Sequence, residues 1–100
     1  MVMNQCTEIA IFKISEDNSQ RAIELSEAIF AEMNAVQSVI TAHQILRKTD
    51  NPEEICWHLT WVSADAAKAI TEKRPTFPST KEFQELVIQD LYYGHFVKAV

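Results

Sequence analysis

The chain has 100 residues, 47% hydrophobic and 23% charged, with one glycine, three prolines and a formal net charge of −5. That length holds one packed core and not two, and the composition is that of a folded globular domain, not a disordered tract. The acidic balance, with no basic run beyond Arg47-Lys48 and Lys73-Arg74, excludes the clustered cations that nucleic-acid binding requires.

Residues 1–6 read as an N-terminal arm. Met1 to Cys6 has neither a basic leader region nor an apolar one, and no stretch of the chain approaches the roughly 20 apolar residues of a membrane span. A cytoplasmic protein with no membrane partner is expected. Cys6 and Cys56 then read as reduced thiols, Cys56 packing as a small hydrophobe, because neither CxxC spacing nor basic neighbours favour a redox pair.

Glu8 to Ile14 (EIAIFKI) is a first strand, bounded by the polar cluster Ser15 to Gln20. Asn18 or Ser19 caps a helix that runs to about Ala35, with Ile23, Ser26, Phe30 and Met33, flanked by Ala22, Leu25 and Ile29, on one stripe. Glu24, Glu27 and Glu32 fall on its solvated side. Val39 to Lys48 and Ile55 to Val62 (ICWHLTWV) are a second and a third strand, joined by the turn residues Thr49 to Glu53 into a hairpin. Lys13, Arg47 and Lys48 read as solvated rim. Ser63 caps a helix from Ala64 to about Lys73, which Pro75 ends. A second helical piece restarts at Ser79, where Ser79 and Glu82 match a capping box and Phe83, Leu86 and Val87 give an apolar face. Leu91 to Val100 (LYYGHFVKAV) is a fourth strand, with Gly94 a bulge or a close-approach point.

This order predicts an α+β, ferredoxin-like β-α-β-β-α-β domain spanning residues 1–100, with an antiparallel sheet in the order 4-1-3-2. Both helical regions then lie on one face of the sheet, and the other face should be polar if it meets water. It is not: Cys56, His58, Thr60 and Val62 oppose the greasy set Ile55, Trp57, Leu59 and Trp61. Likewise Ile9 and Ile11 oppose Ala10, Phe12 and Ile14, and Tyr92 and Phe96 oppose Leu91, Tyr93 and Val97. A sheet-to-sheet homodimer is the expectation.

The run Trp61-Val62-Ser63-Ala64-Asp65-Ala66, a strand-ending Trp followed by a short polar cap and an Ala-containing helix, resembles the dimeric α/β-barrel superfamily. So does Thr76-Phe77-Pro78-Ser79 followed by Phe83, a Phe-containing break in the second helical region. The likeness is to antibiotic biosynthesis monooxygenase-like domains and the related stress-responsive barrel proteins. It implies a pocket between sheet and helices, lined by Trp61, in a homodimer whose sheets form the barrel. Several members oxidise polyphenolic or quinol-type substrates with molecular oxygen and no bound cofactor; others degrade haem. The chain departs from the pattern at Leu59, where an acidic residue is common two positions before the Trp. It also lacks any His between Ala64 and Gln89, where haem-degrading relatives take their iron ligand. That disfavours haem degradation, although Asn4 and Trp61 loosely resemble the rest of that site.

The candidate site follows. His95 and Tyr93, on one face of the fourth strand, are the expected catalytic pair, a base and a partner able to deprotonate a phenol. Trp61, Trp57, Phe12 and Phe77 are the expected substrate-binding walls, with Phe77 as a lid. Each aromatic also fits plain core packing, and Phe77 a plug in a helix break. His43 and His58 face each other across the hairpin, sharing a face with a loop of two or four residues and not with one of three or five. His95 lies two strands from His58, roughly 10 Å away at the ordinary strand spacing, too far for a shared ligand shell. No metal and no cofactor are expected. The leading function is a cofactor-free monooxygenase acting on a small quinol or phenolic compound; the alternative is a non-catalytic ligand-binding or stress-responsive barrel protein.

Overall fold

The computed structural model describes residues 5–100, so Asn4 and most of the expected arm lie outside it. Strand β1 is Cys6–Ile14, followed by a 3-10 turn and helix α1, Ser19–Val36. Strands β2 (Ile40–Lys48) and β3 (Asn51–Trp61) form the hairpin. Helices α2 (Ala64–Lys73) and α3 (Pro78–Leu86) are separated by a 3-10 turn, and β4 is Val87–Val97. The antiparallel sheet has the order β2-β3-β1-β4, the predicted ferredoxin-like arrangement read from the other edge.

β1 shows why the core sits where it does. Cys6, Glu8, Ala10, Phe12 and Ile14 are all buried while the residues between them are partly exposed, the period of two that one covered face imposes. In β3, Ile55, Trp57, Leu59 and Trp61 meet the same core. α1 buries Ala22, Leu25, Ser26, Ile29, Phe30 and Met33 against them. Ile23 is only half buried, at the edge of the stripe predicted for it. Ser26 is the stripe's polar member because its hydroxyl accepts from Trp57 Nε1 at 2.9 Å and donates to the Ala22 carbonyl at 2.7 Å. The Asn34 side chain closes α1 onto β2, accepting from the Val39 and Ile40 amides and donating to the Ile40 carbonyl.

Four local expectations are corrected. β1 begins at Cys6, so that cysteine belongs to the strand and not to an arm. Asn18 stands at the start of α1 with no side-chain capping bond. The capping box at Ser79 does not form: α3 starts one residue earlier at Pro78, the Ser79 amide donates to Glu32 Oε1 at 3.0 Å, and Glu82 is held by Arg21 at 2.7 Å. Two acids placed on the solvated face of α1 and in a cap thus tie α1 to α3. Finally, Val87 opens β4, four residues before the predicted start, instead of ending a helix. Pairing with β1 skips Ile88 and Leu91, which are 59% and 40% exposed. These two bulges stand where Gly94 was expected to supply one, and Gly94 is instead the close-approach point: a Cβ there would come within 2.9 Å of the Tyr92 hydroxyl.

Candidate active site between sheet and helices

His43 and His58 fall on opposite faces of the sheet. Lys48 pairs with Asn51 across a two-residue turn, which alone would put both rings on one side. Between that pair and Arg47↔Ile55 the third strand carries extra residues, where Asn51 Oδ1 accepts from the Glu53 amide at 3.1 Å. The bulge reverses the parity. His43 therefore pairs with Leu59 and turns to α1, 3.1 Å from Glu27, whereas His58 pairs with Gln44 on the open face. Among the described residues no group of three or more His, Cys, Asp or Glu side chains could hold a metal ion.

The inward row of the sheet near its β4 edge is different. β1 places Glu8 opposite both Leu59 on β3 and His95 on β4. Glu8 is 2% exposed, a carboxylate at a core position. Its Oε1 accepts from Trp61 Nε1 at 3.2 Å and lies 2.9 Å from His95 Nε2. The same His95 nitrogen is 3.3 Å from the Tyr93 hydroxyl, which reaches Thr71 Oγ1 on α2 at 3.5 Å. Burial pushes the Tyr93 hydroxyl above its ordinary range, opposed by the Thr71 bond, so at neutral pH it stays protonated and can pass a proton on.

Tyr93 also lines a cavity of about 320 Å³ with Phe12, Thr71, Arg74, Gln84, Asp90 and Tyr92. Arg74, in the turn between α2 and α3, lines it with its guanidinium carbon over the Trp57 ring, 4.7 Å from the ring centroid. A second cavity of about 280 Å³ lies on Thr71, Arg74, Pro75, Thr80 and Gln84.

Of the predicted residues, the fold brings His95, Tyr93 and Trp61 together through Glu8, and Phe12 and Tyr93 onto one cavity. Trp57 and Trp61 are fully buried and line neither cavity; Trp57 packs edge-on against Phe12 and Phe30 and tilted against Phe83. Phe77 packs on the core at the helix break, away from both cavities. Glu8, Thr71 and Arg74 went unpredicted. Glu8 was legible, since it continues the alternation of Ala10, Phe12 and Ile14. Arg74 was not, because beside Lys73 and Pro75 it has the sequence of a solvated turn.

No protein-family model and no curated protein sequence matches the chain. Solved structures do. A candidate antibiotic biosynthesis monooxygenase of Caulobacter crescentus CB15 superposes with a TM-score of 0.78 over 99% of this chain and 93% of its own, at 11% identity. SnoaB, a cofactor-independent oxygenase from Streptomyces nogalater, gives 0.67 over 97% and 93% at 16% identity. A conserved Bacteroides thetaiotaomicron protein described as a possible oxidoreductase gives 0.75 over 95% and 98% at 16% identity. The chain shares its fold with solved structures described as antibiotic biosynthesis monooxygenases.

Proposed function

We propose that the protein is a cofactor-free monooxygenase of small quinol or phenolic compounds, acting at the cavity between Tyr93, Phe12 and Arg74. What carries the reading is the hydrogen-bonded chain Glu8–His95–Tyr93, which runs from a buried carboxylate out to that cavity. A phenol bound there passes its proton by way of Tyr93 to His95 in its Nδ1–H tautomer: Nε2 takes the proton, and the N–H so formed donates to the Glu8 carboxylate at the same nitrogen. The electron-rich anion reduces molecular oxygen, and a hydrogen-bearing ring carbon ortho or para to the phenol oxygen bonds to oxygen as a hydroperoxide. Loss of water then leaves a quinone: one oxygen atom enters the ring as a carbonyl, the other departs as water, and the substrate supplies the electrons. Glu8 gives the site an acid directly across the ladder from Leu59, where the sequence lacks one. The likeness in fold to an oxygenase described as cofactor-independent supports the same chemistry.

An oxygen-electrode assay with hydroquinones and naphthols tests it. Stoichiometric oxygen consumption that falls by about a hundredfold in His95→Ala is expected, the usual worth of a positioned base. The second reading, a ligand-binding barrel protein without catalysis, is favoured by the complete burial of Trp61; ligand binding with no oxygen uptake would establish it.

The functional unit in this reading is a homodimer, formed by the sheet face that the helices leave bare.

A further inference from the structure

Arg74 is a partly buried cation at the site, and two of its guanidinium nitrogens are unsatisfied. Its Nε and Nη2 are buried with no hydrogen-bond partner among the described residues, and so is the Thr80 hydroxyl. None of the ion pairs among those residues includes Arg74. Glu8, the buried carboxylate nearby, is committed to Trp61 and His95. Asp90 touches the larger cavity from an exposed position, whereas no acidic side chain among the described residues lines the smaller one. A guanidinium cannot shed its proton to escape the cost of burial, and its planar fork matches a carboxylate. Burial opposes its charge, and the residues that favour it, Glu8, Tyr93 and Asp90, act at a distance.

We propose that Arg74 seats the acidic group of the ligand, so that the pocket takes a small aromatic carboxylic acid. The carboxylate sits on Arg74 and Thr80 in the smaller cavity, and the ring lies against Phe12 and Tyr93 in the larger one, which shares Thr71, Arg74 and Gln84 with it. At about 300 Å³ each, at the lower end of ligand sites, the two cavities suit a one- or two-ring acid. This deepens the oxygenase reading by naming its substrate class, since Tyr93 serves both.

Titration calorimetry under nitrogen with 2-naphthoate and its neutral isostere 2-naphthamide decides the matter without turnover. Naphthoate should bind the wild-type protein about tenfold tighter, the effect of a hydrogen bond to a charged group. Arg74→Gln should abolish that preference, and Thr80→Val should weaken naphthoate alone. In the wild-type protein the Arg74 Nε–H resonance should shift with naphthoate and not with naphthamide, a readout that survives a variant failing to fold. Equal affinities, a preference that persists in Arg74→Gln, or no binding of either probe overturns the proposal. A preference without oxygen consumption removes the oxygenase and leaves the acid seat; turnover without a preference does the reverse.

Discussion

Glu8 shows what a single residue does to this site. A carboxylate so deep in the sheet is tolerated because Trp61 and His95 both reach it, and removing it strands the buried Trp61 indole N–H. Leaving a buried donor unmatched costs about 1–3 kcal/mol, so Glu8→Ala should lose an amount in that range in urea denaturation, with Glu8→Gln losing less because its amide oxygen still accepts. Tyr93 makes its own mark at alkaline pH. Its pKa is raised in the fold, mainly by burial, so above about pH 10 the native state holds a proton that the unfolded chain has released. Stability is therefore intact below pH 10 and lost as pH rises through the folded value. Tyr93→Phe should flatten that limb in urea midpoints between about pH 9 and 11, while the loss beginning near pH 9 from the buried Cys6 and partly buried Cys56 thiols, also raised, remains. An unchanged limb would contradict this. The pairing of Tyr93 with His95 was legible because both follow the period of two on a strand; Arg74 was not, because only the packing of the α2–α3 break on Trp57 draws it into the site.

At the scale of elements, local chemistry was a good guide where nothing else competed for the side chain. Ser63 accepts from the Ala66 amide at 3.1 Å and caps α2 as its sequence suggests, with Asp65 in the first turn. Ser63→Ala should therefore cost about 1 kcal/mol, read as a shifted denaturation midpoint. Ser79 offered the same signal, but Glu32 and Arg21 on α1 lie close enough to claim the Ser79 amide and Glu82. Tertiary contacts outweigh a cap worth so little. The hairpin failed differently. Thr49 to Glu53 was rightly a turn, yet which face each histidine takes depends on extra residues within the strand, a parity that composition does not carry. β4 starts early for a related reason: its bulges at Ile88 and Leu91 break the alternation by which a strand is recognised.

The whole molecule is two layers deep, 18 Å in its thinnest dimension, with the helices on one side. The bare side of the sheet carries Leu46, Tyr92 and Phe96, which are 44%, 46% and 48% exposed. The rings of Tyr92 and Phe96 lie nearly parallel, 6.4 Å apart, with Tyr92 folded over Gly94. Ile11, Leu46, Arg47, Lys48, Glu54 and Cys56 line a hollow of about 390 Å³ on the same face. A flat aromatic and aliphatic surface of this kind suits a second copy of itself, and a stable pair would bury about 800 Å² on each partner. Sedimentation equilibrium at low micromolar concentration should give twice the chain mass, and Leu46→Glu or Phe96→Glu should give the single mass with the fold unchanged, since neither side chain is part of the core. Cys56 supplies an independent readout. It is partly exposed in one subunit and would be covered in the pair, whereas Cys6 is buried in either state. Its reaction with a thiol reagent should therefore quicken on dilution and in Phe96→Glu, while Cys6 stays inert throughout. A single-chain mass at every concentration, or a Cys56 rate indifferent to dilution, would mean that the open face meets water and that the sheet does not close into a barrel.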